Sequence, residues 1–284
     1  MPMPKTIKQA LREATQELLT VAELPNLDAQ ILLSFVTGKD KEFLYSHPEN
    51  NITADQERKF NELIARRSTG EPIAYLIQTK EFYDLEFFVD NRVLIPRPDT
   101  ELLIDEVKNI YQKNNIIADV GTGSGAIAVT LSKILHAKVL ATDISEEALE
   151  VAKKNAEFHQ VQIDFFQGNL IEPIKNHQVD ILVANLPYGD EKVWSQRNNK
   201  KTIGLKFEPA IALYAENSGL DLFDKLFRQI SELGKPPKHT LIEIDSIQER
   251  PVVNIIKNYL TPELIETKKD LSGLKRVLII KLKN

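Results

Sequence analysis

Two short stretches hold residue types whose spacing suits chemistry. In the first, Val183-Ala184-Asn185-Leu186-Pro187-Tyr188, an apolar run from Val179 is broken only by Asp180 and ends on a side-chain amide. An asparagine side chain offers one acceptor oxygen and two N–H donors. An amide or aryl amine makes a matching acceptor substrate: its lone pair is delocalised and poorly nucleophilic, but it carries two N–H donors. The Asn185 side-chain oxygen can take one hydrogen and the Leu186 backbone carbonyl the other, which aims the nitrogen lone pair at an electrophile. Positioning of that kind supplies ~7–11 kcal/mol in favourable intramolecular cases. Pro187 fixes its own φ and holds Leu186 extended, which directs that carbonyl. Tyr188 can lay its ring on a planar substrate group. The plain alternative is a strand end with a proline turn and a buried tyrosine.

The second stretch, Asp119-Val120-Gly121-Thr122-Gly123-Ser124-Gly125, follows the apolar Ile116-Ile117-Ala118. Its D-x-G-x-G-x-G spacing differs from the G-x-G-x-x-G fingerprint that seats a pyrophosphate on a helix N-terminus. Asp143 closes the next apolar run about 20 residues beyond Gly123, the distance at which an acid meets ribose hydroxyls. A glycine turn, a ribose acid and no pyrophosphate fingerprint together favour S-adenosylmethionine over NAD. The cofactor contacts expected are Asp119, Gly121, Thr122, Gly123, Ser124, Gly125 and Asp143. Asn169 and Leu170 join them after the third strand, at the adenine ring. The competing reading is a tight turn with Asp143 capping the helix that starts at Ser145-Glu146-Glu147, and a surface turn at 168–170.

These residues need elements to hold them in register. From about residue 100 helices and strands alternate: helix 101–112, strand 115–120, helix 125–136, strand 137–143, helix 146–157 and strands 161–166 and 179–184. Helix 217–233, strand 240–245, helix 247–260 and strands 263–268 and 275–282 follow. Alternation of this kind gives a mostly parallel sheet covered on both faces, with its ligand at the carboxyl ends of the strands. The short turn at Ser272-Gly273 makes the last two strands antiparallel. The fold class is therefore α/β, a Rossmann-like seven-stranded sheet. Before it, Ile7, Ala10, Leu11, Ala14, Leu18 and Leu19 form a helical stripe. Asn26 is expected to cap a second helix that Gly38 ends, and Thr53-x-x-Gln56 has the capping-box form. The aromatic, β-favouring segment 81–89 reads as a hairpin. The expected division is a helical substrate-docking domain at 1–76, a β-hairpin linker at 77–98 and a cofactor-binding domain at 99–284.

Composition narrows the function classes. With no cysteine among 284 residues, disulfides, Cys-ligated metals and Cys nucleophiles are excluded. The five histidines show no metal spacing, so no metal is expected. No apolar run approaches the ~18–20 residues of a membrane helix, and the expected location is the cytoplasm. A net charge of −5 disfavours nucleic acid as the main partner. One basic loop, with Lys192, Arg197, Lys200, Lys201 and Lys206 around Trp194, runs against that trend.

The chain resembles the release-factor glutamine N5-methyltransferases of the HemK/PrmC type. The matching pieces are Glu71-Pro72-Ile73-Ala74-Tyr75-Leu76, Leu94-Ile95-Pro96-Arg97-Pro98-Asp99-Thr100-Glu101, Asp119 to Gly125, Asp143-Ile144-Ser145, Asn185 to Tyr188 and Phe207-Glu208-Pro209-Ala210-Ile211-Ala212-Leu213. The resemblance implies methyl transfer from S-adenosylmethionine to the glutamine of a Gly-Gly-Gln loop in class I peptide-chain release factors. Asn185 to Tyr188 would grip that glutamine, Gly121–Gly125, Asp143, Leu170 and Asn185 would contact the cofactor, and the helical domain would help dock the factor. Arg97 and Glu208 would stand behind the site. Leu186 departs from the family's N-P-P-Y, which removes φ rigidity and keeps the carbonyl. Leu170 stands where relatives can carry an aromatic. Three alternatives share these motifs: a ribosomal-protein glutamine methyltransferase, a DNA adenine-N6 methyltransferase, and a cofactor-binding module without turnover. Glu243 and Asp245 could face the cleft, or simply follow the period-2 alternation of their strand.

Overall fold

The computed structural model describes residues 4–194, 200 and 202–283. The chain divides into two compact units, Met1–Thr79 with Ser195–Phe207, and Lys80–Trp194 with Glu208–Asn284.

The first unit is helical: α1 (Ile7–Leu18), α2 (Pro25–Thr37), α3 (Lys41–Ser46), α4 (Ala54–Ser68) and α5 (Ile73–Ile77). Its core gathers Ile7, Ala10, Ala14 and Leu18 of the predicted stripe with Leu32, Leu33, Phe60 and Ile64, while Leu19, past the end of α1, is exposed. The capping box at Thr53 and Gln56 opens α4 as expected. The cap expected at Asn26 is not formed. Pro25, whose fixed φ suits the first helical position, starts α2 one residue earlier, and Leu24 stands at the N-cap with no side-chain hydrogen bond.

In the second unit seven strands form one sheet in the order β5-β4-β3-β6-β7-β9-β8. They are β3 (Ile116–Val120), β4 (Lys138–Asp143), β5 (Ile163–Gln167), β6 (Ile181–Ala184), β7 (His239–Glu243), β8 (Pro262–Lys269) and β9 (Lys275–Leu282), after a separate hairpin of β1 (Thr79–Phe82) and β2 (Leu85–Phe88). β3 to β7 pair in parallel, while β9 runs antiparallel to both β7 and β8. The central strands read as continuous apolar runs because both sheet faces are covered. One face carries Ala118, Leu140, Leu182 and Ile242 under the helices Asp221–Ser231 and Glu249–Tyr259. The other carries Ile117, Val139, Val183 and Leu241 under α6 (Glu101–Ile110) and α7 (Ala126–Leu135).

The hairpin packs with this second unit. Phe82 and Phe87 are buried in the core beneath α6 and α7. Asn155 of α8 (Glu146–Phe158) bonds both backbone groups of Phe88, at 2.8 and 3.0 Å, and His159 Nε2 donates to Glu86 O at 2.6 Å. Its turn residues Tyr83 and Asp84 have φ of 51° and 57°, the left-handed pair that matches hairpin twist.

Candidate active site

Strand register builds the site. Val120 pairs with Thr142 and with Ala184, and Ala184 pairs with Ile242. The next residues along these strands, Asp143, Gly121, Asn185 and Glu243, therefore stand in one row at the carboxyl edge. β4 lies on one side of β3 and β6 on the other, so the row straddles the point where strand order reverses, the usual ligand position in open α/β sheets.

Above the row is a cleft of about 410 Å³. Gly121 to Ser124, Asp143, Asn169, Leu170 and Asn185 to Pro187 line it. Pro96, Arg97, Thr100, Ile144, Ile211 and Tyr214 add an apolar wall with a few polar groups. Three expected site residues stand outside the lining: Asp119, Gly125 and Tyr188.

Asp119 lies beneath the turn, fully buried. Its Oδ2 accepts from the Thr122 hydroxyl at 2.6 Å and from Ala128 N–H at 3.1 Å, tying the glycine turn to the start of α7. Its Oδ1 is buried with no partner among the described residues. Burial, with a smaller push from Asp143, raises its pKa to about 7. Gly125 has φ 80°, and a Cβ there would sit 3.0 Å from Ala152 Cβ, so this glycine serves close packing of the turn on α8.

Asp143 holds the turn from the cleft side. Its Oδ2 accepts Gly123 N–H at 2.8 Å and its Oδ1 accepts Ser145 N–H at 2.9 Å. Each oxygen keeps a lone pair for further donors. Burial raises its pKa while those backbone N–H groups oppose the shift. The helix cap proper is Ser145, whose side chain accepts from Ala148 N–H.

Asn185 Nδ2 donates to Thr100 Oγ1 at 3.0 Å. The Thr100 hydroxyl donates to Glu243 Oε2 at 2.6 Å, and the Tyr188 hydroxyl donates to Glu243 Oε1 at 3.0 Å. Tyr188 is thus drawn back from the cleft: its hydroxyl reaches a buried carboxylate and its ring meets Trp194 edge-on at 6.1 Å. Burial, then the Glu243 charge, raise its pKa well above the usual tyrosine value. The Glu243 pKa is raised by burial and restrained by its two hydroxyl donors. Of the two acids flagged on β7 and just beyond it, Glu243 joins the site, whereas Asp245 serves its own turn, accepting from Ser246 and Ile247.

Leu186 is buried in the sheet core, and its Cδ2 would touch a Cβ built on Gly121 at 3.1 Å. Core packing thus constrains this residue without a proline ring. Gln248 Nε2 donates to Tyr188 O at 3.0 Å and Ser218 O at 3.1 Å, fixing the turn that follows. Behind the cleft Glu208 accepts from Arg97 and from Ile95 N–H. Burial raises the Glu208 pKa against the pull of Arg97. In the basic loop, Lys200 Nζ donates to Leu19 O, and Arg197 and Lys201 lie outside the described residues.

Local sequence gives no sign that Thr100 meets Glu243, 143 positions away. Asn155, which also donates to Ser124 O at 2.8 Å, was equally silent. A buried asparagine inside an amphipathic helix is the one signal that could have drawn attention to it.

The PrmC N-terminal domain family matches residues 9–77, and the methyltransferase small domain family matches 97–203. A release factor glutamine methyltransferase of Koribacter versatilis is 38% identical over 96% of this chain and 98% of its own length. One from Dictyoglomus turgidum is 37% identical over 89% of each. The fold is similar to that of the hMettl16 catalytic domain solved with MAT2A 3'UTR hairpin 1, with TM-score 0.61 and 14% identity over 89% of this chain and 91% of that one. With such identity along nearly its whole length, the chain belongs to the release factor glutamine methyltransferase family.

Proposed function

We propose that this protein methylates the side-chain amide nitrogen, N5, of the glutamine in the Gly-Gly-Gln motif of class I peptide-chain release factors, using S-adenosylmethionine. The carrying observation is the placement of Asn185: its amide nitrogen is engaged by Thr100, which leaves the side-chain oxygen as acceptor at the rim of the cleft.

The cleft suits the methyl donor. Its volume falls in the ~300–1,000 Å³ range of small-molecule sites. It offers Asp143 lone pairs for hydroxyl donors and an apolar wall at Ile144 and Leu170 for a flat ring. Bound here, S-adenosylmethionine would supply an electrophilic methyl carbon on a sulfonium: its carbon–sulfur bond would break as the amide nitrogen takes the methyl, leaving S-adenosylhomocysteine, and one amide proton would pass to solvent. Gly121 to Ser124, Asp143, Asn169 and Leu170 are the residues proposed to hold it, with Asp119 and Gly125 shaping the turn from beneath. Asn185 Oδ1 and the Leu186 carbonyl would each accept one N–H of the glutamine amide, which fixes the plane of that amide and the direction of its lone pair. Pro187 and Tyr214 would border the amide. The helical unit is proposed to help dock the factor.

The test is mass spectrometry of the Gly-Gly-Gln peptide after a release factor is incubated with the protein and S-adenosylmethionine. A gain of one methyl on that glutamine is expected. An unmodified glutamine, or methylation of a ribosomal protein or DNA adenine in its place, would reject the assignment.

A further inference from the structure

We propose that Thr100 and Glu243 are positioning residues that set which way the Asn185 amide faces, and so make residue 185 an acceptor towards the incoming NH2. This inference rests on the role proposed for Asn185 above.

With one hydroxyl at each of its oxygens, Glu243 is favoured as the ionised carboxylate against the upward push of burial, and in that form it only accepts hydrogen bonds. Glu243, buried at the end of β7, faces two hydroxyls: Thr100 Oγ1 at 2.6 Å and Tyr188 Oη at 3.0 Å. Each hydroxyl has one proton, and each commits it to Glu243. Thr100 Oγ1 then has only lone pairs left for Asn185, 3.0 Å away. The side of the Asn185 amide that faces Thr100 must be the NH2 side, and the oxygen is turned to the other side. In the opposite flip the Asn185 oxygen would meet the lone pairs of Thr100, and its N–H groups would meet the N–H groups of the substrate. Both contacts are repulsive.

The same carboxylate therefore determines the polarity of the site at a distance of two hydrogen bonds. Its second partner, Tyr188, belongs to the same turn as Asn185, so Glu243 fixes both ends of N-L-P-Y. The segment 95–100 is tied in independently, since Glu208 accepts Ile95 N–H at 3.1 Å. Thr100 is consequently held in place by more than its bond to Glu243, and deleting its hydroxyl alone should leave the backbone where it is.

Three variants test the relay. Thr100→Val keeps the shape and removes the hydroxyl. Transfer to the release factor is expected to fall in kcat by ~10²-fold, the scale for losing one preorganised polar contact. Its KM for the factor, its affinity for S-adenosylmethionine by calorimetry and its Tm should stay near those of the unmodified chain. Thr100→Ser, which keeps the hydroxyl, should recover most of the loss. Glu243→Gln, which can present a donor where only acceptors stood, should give an intermediate fall in kcat. A readout independent of turnover is the Asn185 side-chain NH2 pair in 15N-labelled protein, assigned from its absence in Asn185→Asp. That pair should be shifted and slowly exchanging, and should lose both properties in Thr100→Val.

A Thr100→Val enzyme with undiminished kcat and an unmoved Asn185 NH2 pair would overturn the relay. A fall in Tm and a rise in KM with kcat retained would reduce Thr100 and Glu243 to scaffolding and overturn it equally. If Thr100→Val does not fold, the NH2 pair in Glu243→Gln decides: moved supports the relay, unmoved rejects it. Should the unmodified protein fail to methylate any release factor, the functional assignment falls, while the NH2 comparison still judges the relay.

Discussion

Replacing Asn185 with alanine removes the acceptor oxygen at the rim and leaves Gly121 to Ser124 and Asp143 untouched. Methyl transfer should drop by at least ~10²-fold, while S-adenosylmethionine affinity, read by calorimetry, changes far less. Transfer at the ordinary rate would show that some other group holds the amide. Asp119 gives a prediction of a different kind. Its pKa of about 7 in the folded chain lies above its ordinary value. Between about pH 4 and 7 the folded chain keeps a proton that the unfolded chain has released, so this residue lowers stability by ~1.4 kcal/mol for each unit of rising pH, levelling off above 7. Asp119→Asn carries no such proton. Denaturant unfolding should show the unmodified chain losing ground to the variant as pH rises through that window, and parallel curves would count against the buried acid. At this scale the sequence exposed what a neighbouring residue determines. Asn185, Asp143 and the glycine turn stood out from spacing alone. The hydrogen bonds that orient them did not, because Thr100 and Glu243 meet only after the sheet has formed. Tyr188 was placed against the substrate on its ring chemistry, and Glu243, one of two acids whose facing the strand pattern left open, holds its hydroxyl instead.

Among the elements, the two-residue hairpin and α8 act as one support for the glycine turn. One side chain of α8 reaches both the hairpin and the glycine turn: Asn155 bonds both backbone groups of Phe88 and the carbonyl of Ser124. Asn155→Ala takes the partner from three polar groups, the two of Phe88 partly buried and the Ser124 carbonyl buried, at roughly 2–5 kcal/mol in stability. Cofactor affinity should weaken with it, since Ser124 loses its tie. Unfolding titrations and calorimetry together check this, and an unchanged affinity would mean the turn is held by Asp119 and Asp143 alone. The order of elements was legible because strands buried on both faces read as unbroken apolar runs and the covering helices as stripes. Helix starts were less so. Pro25 competes with Asn26 for the beginning of α2, and backbone preference prevails over side-chain capping. The side to which the hairpin attaches also depended on distant residues, Asn155 and His159, that a hairpin's own sequence does not announce.

For the molecule as a whole, the helical core of Phe60, Leu32 and Ile64 is complete without residues of the sheet. A chain beginning at residue 80 is therefore expected to retain S-adenosylmethionine binding, with transfer to an intact release factor reduced at least tenfold and transfer to a free Gly-Gly-Gln peptide reduced less. Equal losses on factor and peptide would remove the docking role proposed for the helices. Among the described residues no helix is long and apolar enough to cross a membrane. The net charge of −5 leaves little general attraction for a nucleic-acid backbone, and the described lysine of the basic loop that bonds Leu19 belongs with the helices. That grouping of Ser195–Phe207 with Met1–Thr79 has a consequence for engineering and for descent. The helical unit is assembled from two separate lengths of chain, the second spliced in directly downstream of the turn that carries Asn185. Exchanging it for a relative's version requires two junctions, and a recombination event that transfers only the leading segment would set the second length against helices of another lineage.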